Sequence, residues 1–108
     1  MLPSQILQNR RAEVLEVMTR YPKLANPRII GSVARGEDTE DSDIDFIVDP
    51  DPGATLFDVG GLREDLEELL GVAVHITTSG EHLRASFKEV MARDAVSVRV
   101  SRIFEPKS

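Results

Sequence analysis

The stretch GSVARGEDTEDSDIDFIVD, residues 31 to 49, decides how this chain is read. In its second half, Asp43-Ile44-Asp45-Phe46-Ile47-Val48 alternates with the period of two of a strand, so Ile44, Phe46 and Val48 share one face and Asp43 and Asp45 the other. One face can enter a core while the other carries paired charge. Carboxylates two residues apart on a strand have Cα atoms roughly 6 to 7 Å apart and project the same way, a separation that can converge on divalent ions. Two such ions can stabilise both the attacking and the leaving oxygen of an in-line phosphoryl displacement. In the first half, Gly31 lets backbone N–H groups approach a phosphate, the Ser32 hydroxyl can donate to it, and Gly36 can close the turn. Gly31-Ser32 alone is more often a mere turn; the combination with Asp43 and Asp45 carries the signal.

Residues 37–51 contain eight acids and no Lys or Arg, so their mutual repulsion must be relieved by water or by cations. Glu37, Asp38, Glu40 and Asp41 read as a solvated loop, because charge runs between elements usually face water.

Upstream, Arg28-Ile29-Ile30 reads as a buried strand ending at Gly31, after punctuation by Tyr21, Pro22 and Pro27. Leu7, Val14, Leu15 and Met18 share a face of one helix over residues 5 to 20, with Ser4 as its N-cap. Downstream, residues 49–53 are turn chemistry, and Thr55 with Asp58 three residues on forms a capping box. The helix that follows buries Leu62, Leu66, Leu69 and Leu70 and stops at Gly71, with Gly60 and Gly61 inside it suggesting close backbone packing. Val72 to Thr77 is a third strand. Ser79 then opens a last helix through Leu83, Phe87, Val90 and Met91, with His82 an exposed residue at its entry. Val96, Val98 and Val100 alternate with Ser97, Arg99 and Ser101 as an edge strand or an arm ordered by a partner.

The expected fold is a single α/β domain with a mixed (α+β) sheet, in the order helix, strand, helix or turn, strand, helix, strand, helix. Residues 1–95 make the domain and 96–108 a strand or partner-binding tail. A length of 108 residues fits one core. The formal charge of −6 argues against direct nucleic-acid binding and for a basic partner or metal ions. The lack of cysteine excludes disulfides, thiolate zinc sites and a cysteine nucleophile. No signal-peptide pattern or membrane span is read, so a soluble cytoplasmic protein is expected.

GSVARG at 31–36 followed by SDIDFIVD at 42–49 resembles the minimal nucleotidyltransferases of the polymerase-beta superfamily, and the order of elements extends the likeness over nearly the whole chain. The resemblance implies that Gly31 and Ser32 hold the triphosphate of ATP, with Gly36 closing the loop. It implies that Asp43 and Asp45 bind magnesium, and that an acceptor hydroxyl attacks the α-phosphate. Arg35 either touches phosphate or braces the loop. The family's third strand usually carries a further acid, and the matching position here is His75. The imidazole points to the aspartate face and can serve as general base or neutral ligand; it suits manganese better than magnesium.

Small members of this family resemble the antitoxin of modules whose partner is a HEPN ribonuclease toxin. The expectation is an antitoxin-type protein adenylyltransferase that moves AMP from ATP to a toxin tyrosine within a hetero-oligomer. The alternatives are a catalytically weak antitoxin acting by binding, with the tail as its docking arm, and a small-molecule nucleotidyltransferase subunit.

Overall fold

A computed structural model describes residues 1–79 and 96–98. The chain runs through α1 (Pro3–Asn9), α2 (Arg11–Met18), β1 (Leu24–Ile30), α3 (Gly31–Arg35), β2 (Ile44–Pro50), α4 (Leu56–Leu70), β3 (Val74–Thr78) and β4 (Val96–Ser97). Its sheet has the order β3-β2-β1-β4, with β1 antiparallel to both β2 and β4, and β2 parallel to β3. This is the mixed α/β sheet expected. Residues assigned above to the last helix, Ser79's capping role, His82 and the tail beyond Val98 lie outside the described residues.

The core lies between the sheet and the helical layer. Ile29, Ile44, Phe46, Val48 and Val74 meet Leu7, Val14, Val17 and Met18 of the first two helices and Leu62, Leu66 and Leu70 of α4. Each such side chain contributes roughly 1.5–3 kcal/mol through removal from water. The period of two therefore does what the sequence implies: β2 gives its even-numbered apolar residues to the core and turns Asp45 away from it.

Four local expectations are corrected. The single helix over 5–20 is two, broken at Arg10 (φ −110°, ψ 14°); no Pro or Gly marks the break, so the apolar spacing reads straight through it. Leu2, not Ser4, is the N-cap: the Gln5 side chain accepts from the Leu2 N–H at 2.8 Å, while the Ser4 N–H donates to Asp38 Oδ2 at 2.8 Å. Pro27 does not end an element but sits inside β1, at the register shift between Ala25 and Arg28 where a missing N–H is tolerated. Residues 49 and 50, read as turn, extend β2.

Helix α4 starts as the capping box predicts. Asp58 Oδ2 accepts from the Thr55 N–H at 2.8 Å, Thr55 Oγ1 accepts from the Asp58 N–H at 3.4 Å, and Gly71 closes the helix in the left-handed region (φ 71°). Its two inner glycines differ. A Cβ on Gly61 would lie 2.9 Å from the Tyr21 hydroxyl, whereas no described residue lies within 4 Å of a Cβ on Gly60. Tyr21 donates to Asp65 Oδ2 at 2.5 Å, and this bond, with burial and the carboxylate charge, pushes its pKa up to about 12. Among the described residues no helix is long and apolar enough to cross a membrane.

Tyr21 is the one tyrosine of the chain, and there is no tryptophan, so phenolate absorbance reports this contact alone. Its titration midpoint should lie near 12 in the wild type and fall toward about 10 in Asp65→Asn or Gly61→Ala. Because the folded value is raised, the stabilising bond is intact below the unfolded pKa and is lost as pH rises through 12. Gly60→Ala should instead stabilise the fold by about 1 kcal/mol in urea denaturation, as a helical glycine in open space gives up nothing when replaced.

Candidate functional site

Three strand ends meet where β1 stops and β2 begins. Gly31 leaves β1 with φ 78°, a left-handed conformation that favours glycine, and a Cβ there would sit 2.7 Å from Asp45 Oδ2. The chain then makes the short turn of α3, anchored by buried Val33 and closed by Gly36 at φ 71°. Glu37 N–H donates to the Ser32 carbonyl at 2.8 Å, so residues 31–37 form one closed loop beside β2. Arg35 Nε lies 3.3 Å from Glu37 Oε2, a contact that braces this loop.

The loop that follows is tied rather than free. Ser42 Oγ accepts from the Thr39 N–H at 2.9 Å, and Asp38 caps α1 through Ser4 as described. Asp38 is thus withdrawn from the solvated set proposed from sequence, because a helix N-terminus leaves N–H groups that a carboxylate satisfies.

Asp43 immediately precedes β2, and Asp45 lies within it, paired with Ile30 on one side and with His75 on the other. His75 Nε2 is 2.8 Å from Asp43 Oδ2, so the imidazole reaches diagonally to the first aspartate. Burial pushes the Asp45 carboxyl above its ordinary pKa; a positive His75 would pull it down, and the Asp43 charge adds to the rise. Asp43 and His75 themselves are about half exposed.

Among the described residues no three His, Asp or Glu side chains converge as a ready metal cage. The donor set still fits magnesium, which is commonly held by one or two carboxylates together with substrate phosphates. Asp43 and Asp45 offer the hard oxygens, and the space left by the missing Cβ of Gly31 keeps Asp45 Oδ2 unobstructed. The structure thus gathers Gly31, Asp43, Asp45 and His75, with Ser32 next in chain and Arg35 and Gly36 one turn further.

A second polar hub, at the far end of β2, was not read from sequence. Asp49 accepts from Arg28 Nη2, from Asn26 Nδ2 at 3.1 Å and from Ser79 Oγ at 2.7 Å, and so ties three strands together. Asn26 takes φ 52° to do so. The only signal was parity, which puts Asp49 on the face of Asp43 and Asp45; its partners depend on register.

Residues 12–103 match the family described as nucleotidyltransferase domain. The protein adenylyltransferase MntA of Thermococcus cleftensis is 31% identical over 93 residues, 80% of this chain and 93% of that protein. A solved structure assigned provisionally as a minimal nucleotidyltransferase is 40% identical with TM-score 0.74, covering 86% of this chain and 93% of that one. A tri-AMPylated Shewanella oneidensis HEPN toxin in complex with MNT antitoxin matches with TM-score 0.63 at 15% identity, covering 84% and 70%, a likeness of fold.

The Asp49 hub has a measurable pH signature. Burial raises the pKa of Asp49, but the hydrogen bonds from Ser79 and Asn26 and the charge of Arg28 together outweigh it and leave the group below its ordinary value. Its contribution is present above the unfolded pKa of about 3.9 and lost as pH falls through the lower folded value. Asp49→Asn should therefore lower the urea midpoint at pH 7 and flatten its fall between pH 5 and pH 3, roughly.

Proposed function

The chain belongs to the nucleotidyltransferase domain family, and from that premise we propose that it transfers AMP from ATP to a tyrosine hydroxyl of a HEPN-type ribonuclease partner, acting as an antitoxin. The observation that carries this reading is that His75 bonds Asp43 and lies opposite Asp45 in register, beside a Gly31 whose missing Cβ makes room for the Asp45 carboxylate. The acceptor class is supported by the name of the Thermococcus relative, a protein adenylyltransferase, and by the AMPylated toxin bound to the Shewanella antitoxin. The complex with such a partner would be a hetero-oligomer, in the cytoplasm where ATP is supplied.

In this mechanism the start of α3 and the Ser32 hydroxyl receive the triphosphate, with Gly36 closing the loop and Arg35 bracing it. Asp43 and Asp45 would hold magnesium, or manganese. When bound, the metal neutralises phosphate charge and polarises the α-phosphate. The tyrosine oxygen forms its bond to the α-phosphorus as the bond to pyrophosphate breaks. A neutral His75 that donates Nε2–H to Asp43 would have its Nδ1 lone pair left for the tyrosine proton. The ring would then stand in the role for which the family commonly uses a third carboxylate.

Incubating the protein with labelled ATP, magnesium and a purified HEPN-type protein should label that protein. The Asp43→Ala, Asp45→Ala double variant should give no label. His75→Ala should slow transfer by about 10²-fold or more, the range of a lost general base. An unlabelled partner that is nonetheless neutralised in cells would replace this reading with that of a binding antitoxin. That second reading is favoured by one observation: His75 already engages the Asp43 oxygen nearest to it.

A further inference from the structure

Leu56 and Phe57 open α4 with 88% and 91% of their surfaces in water, although the core cluster lies one turn further along the same helix. They cannot relax toward it, because the Thr55–Asp58 capping box fixes where the helix begins. Gly60 follows at i+4 from Leu56 and i+3 from Phe57, so the three share one patch of helix surface. Gly61 is explained by Tyr21; Gly60 is exposed and has no such neighbour among the described residues. A glycine one turn beyond two apolar side chains forms a shallow seat, of the kind that receives a side chain from a helix packing across it.

We propose that Leu56, Phe57 and Gly60 form a docking surface for a helix of a basic protein partner, separate from the transfer site. Charge selects the occupant. Glu64 and Glu68 continue the patch along α4 at i+4 and i+8 from Gly60, both exposed, on a chain of net charge −6. The complementary helix presents an apolar residue to Gly60 and Lys or Arg one to two turns on. A second copy of this chain fits less well: crossed antiparallel at Gly60, its Leu56 would face Glu64 while its Phe57 would face Arg63, and crossed parallel, Glu64 would face Glu64. Helix α4 covers the sheet face that carries Phe46, whereas Asp45 turns to the other, so a partner held here leaves the aspartates open. The surface therefore binds independently of turnover.

Taking a HEPN-type protein as that partner rests on the transfer reading. The test is calorimetric titration of a purified, unmodified HEPN-type protein into the full chain, with sedimentation velocity and the AMP-transfer assay alongside. Leu56→Ser with Phe57→Ser should weaken binding at least tenfold, and Gly60→Gln should do the same without lowering the melting temperature. Glu64→Lys with Glu68→Lys should weaken binding and remove its salt dependence. In transfer, the apolar variant should raise KM for the partner while kcat is kept. The Asp43→Ala, Asp45→Ala variant should bind as the wild type does. Wild-type affinity in the Leu56, Phe57 variant, with labelling intact, would overturn the surface and leave the transfer reading standing. Labelling without measurable binding would do the same. Neither labelling nor binding by the wild type would overturn both. A wild-type dimer that the apolar variant dissolves would overturn the proposal in favour of a second copy.

Discussion

The approach of the Asp45 carboxylate to the α carbon of Gly31 is the constraint around which this site is built. Any side chain at Gly31 would occupy the place of Asp45 Oδ2, and the backbone there already stands in a left-handed conformation. The end of β1 and the body of β2 can therefore come together only because that position is bare. Their meeting puts the first turn of α3 next to a half-buried acid. Burial raises the free energy of the charged form of Asp45, and a cation at this point would reverse that penalty. The pairing thus creates demand for positive charge where a phosphate chain would also seek it.

The third strand completes the arrangement from the edge of the sheet. Val74 offers its outward carbonyl to Arg63 Nε at 3.1 Å and its N–H to Glu67 Oε2 at 3.0 Å. Helix α4 in this way satisfies the outward groups of Val74 with side chains and holds the backbone beside His75. His75 owes its reach to Asp43 to that anchoring and to the parallel register that sets it opposite Asp45.

What could be read from the sequence was what depends on near neighbours. Asp43 and Asp45 follow from a period of two, the start of α4 from Thr55 and Asp58, its end from Gly71, and the core of β2 from Ile44, Phe46 and Val48. Reading failed where the decisive partner is distant in the chain. Asp38 looked solvated because its partner is the Ser4 N–H, and Asp49 looked like turn chemistry because Arg28 and Ser79 reach it only through strand register. Pro27 reads as punctuation before a strand because the bulge that accommodates it is a property of the pair of strands and not of either one. The break at Arg10 carries no residue that signals it. At Gly60 and Gly61 the same letter has two causes, and only the position of Tyr21 distinguishes them.

The clasp between Asp38 and the start of α1 joins segments 34 residues apart in sequence. Local openings of a native protein tend to follow such cooperative units and not the order of the chain. Were α1 to undock, the loop around Asp38 would lose this anchor in the same event, and amide protons of the first helix and of that loop would exchange with solvent together. The beginning of the chain is in that sense part of the rigidity of the aspartate pair, and a change at the N-terminus would be felt at the site as motion before it was felt as lost stability.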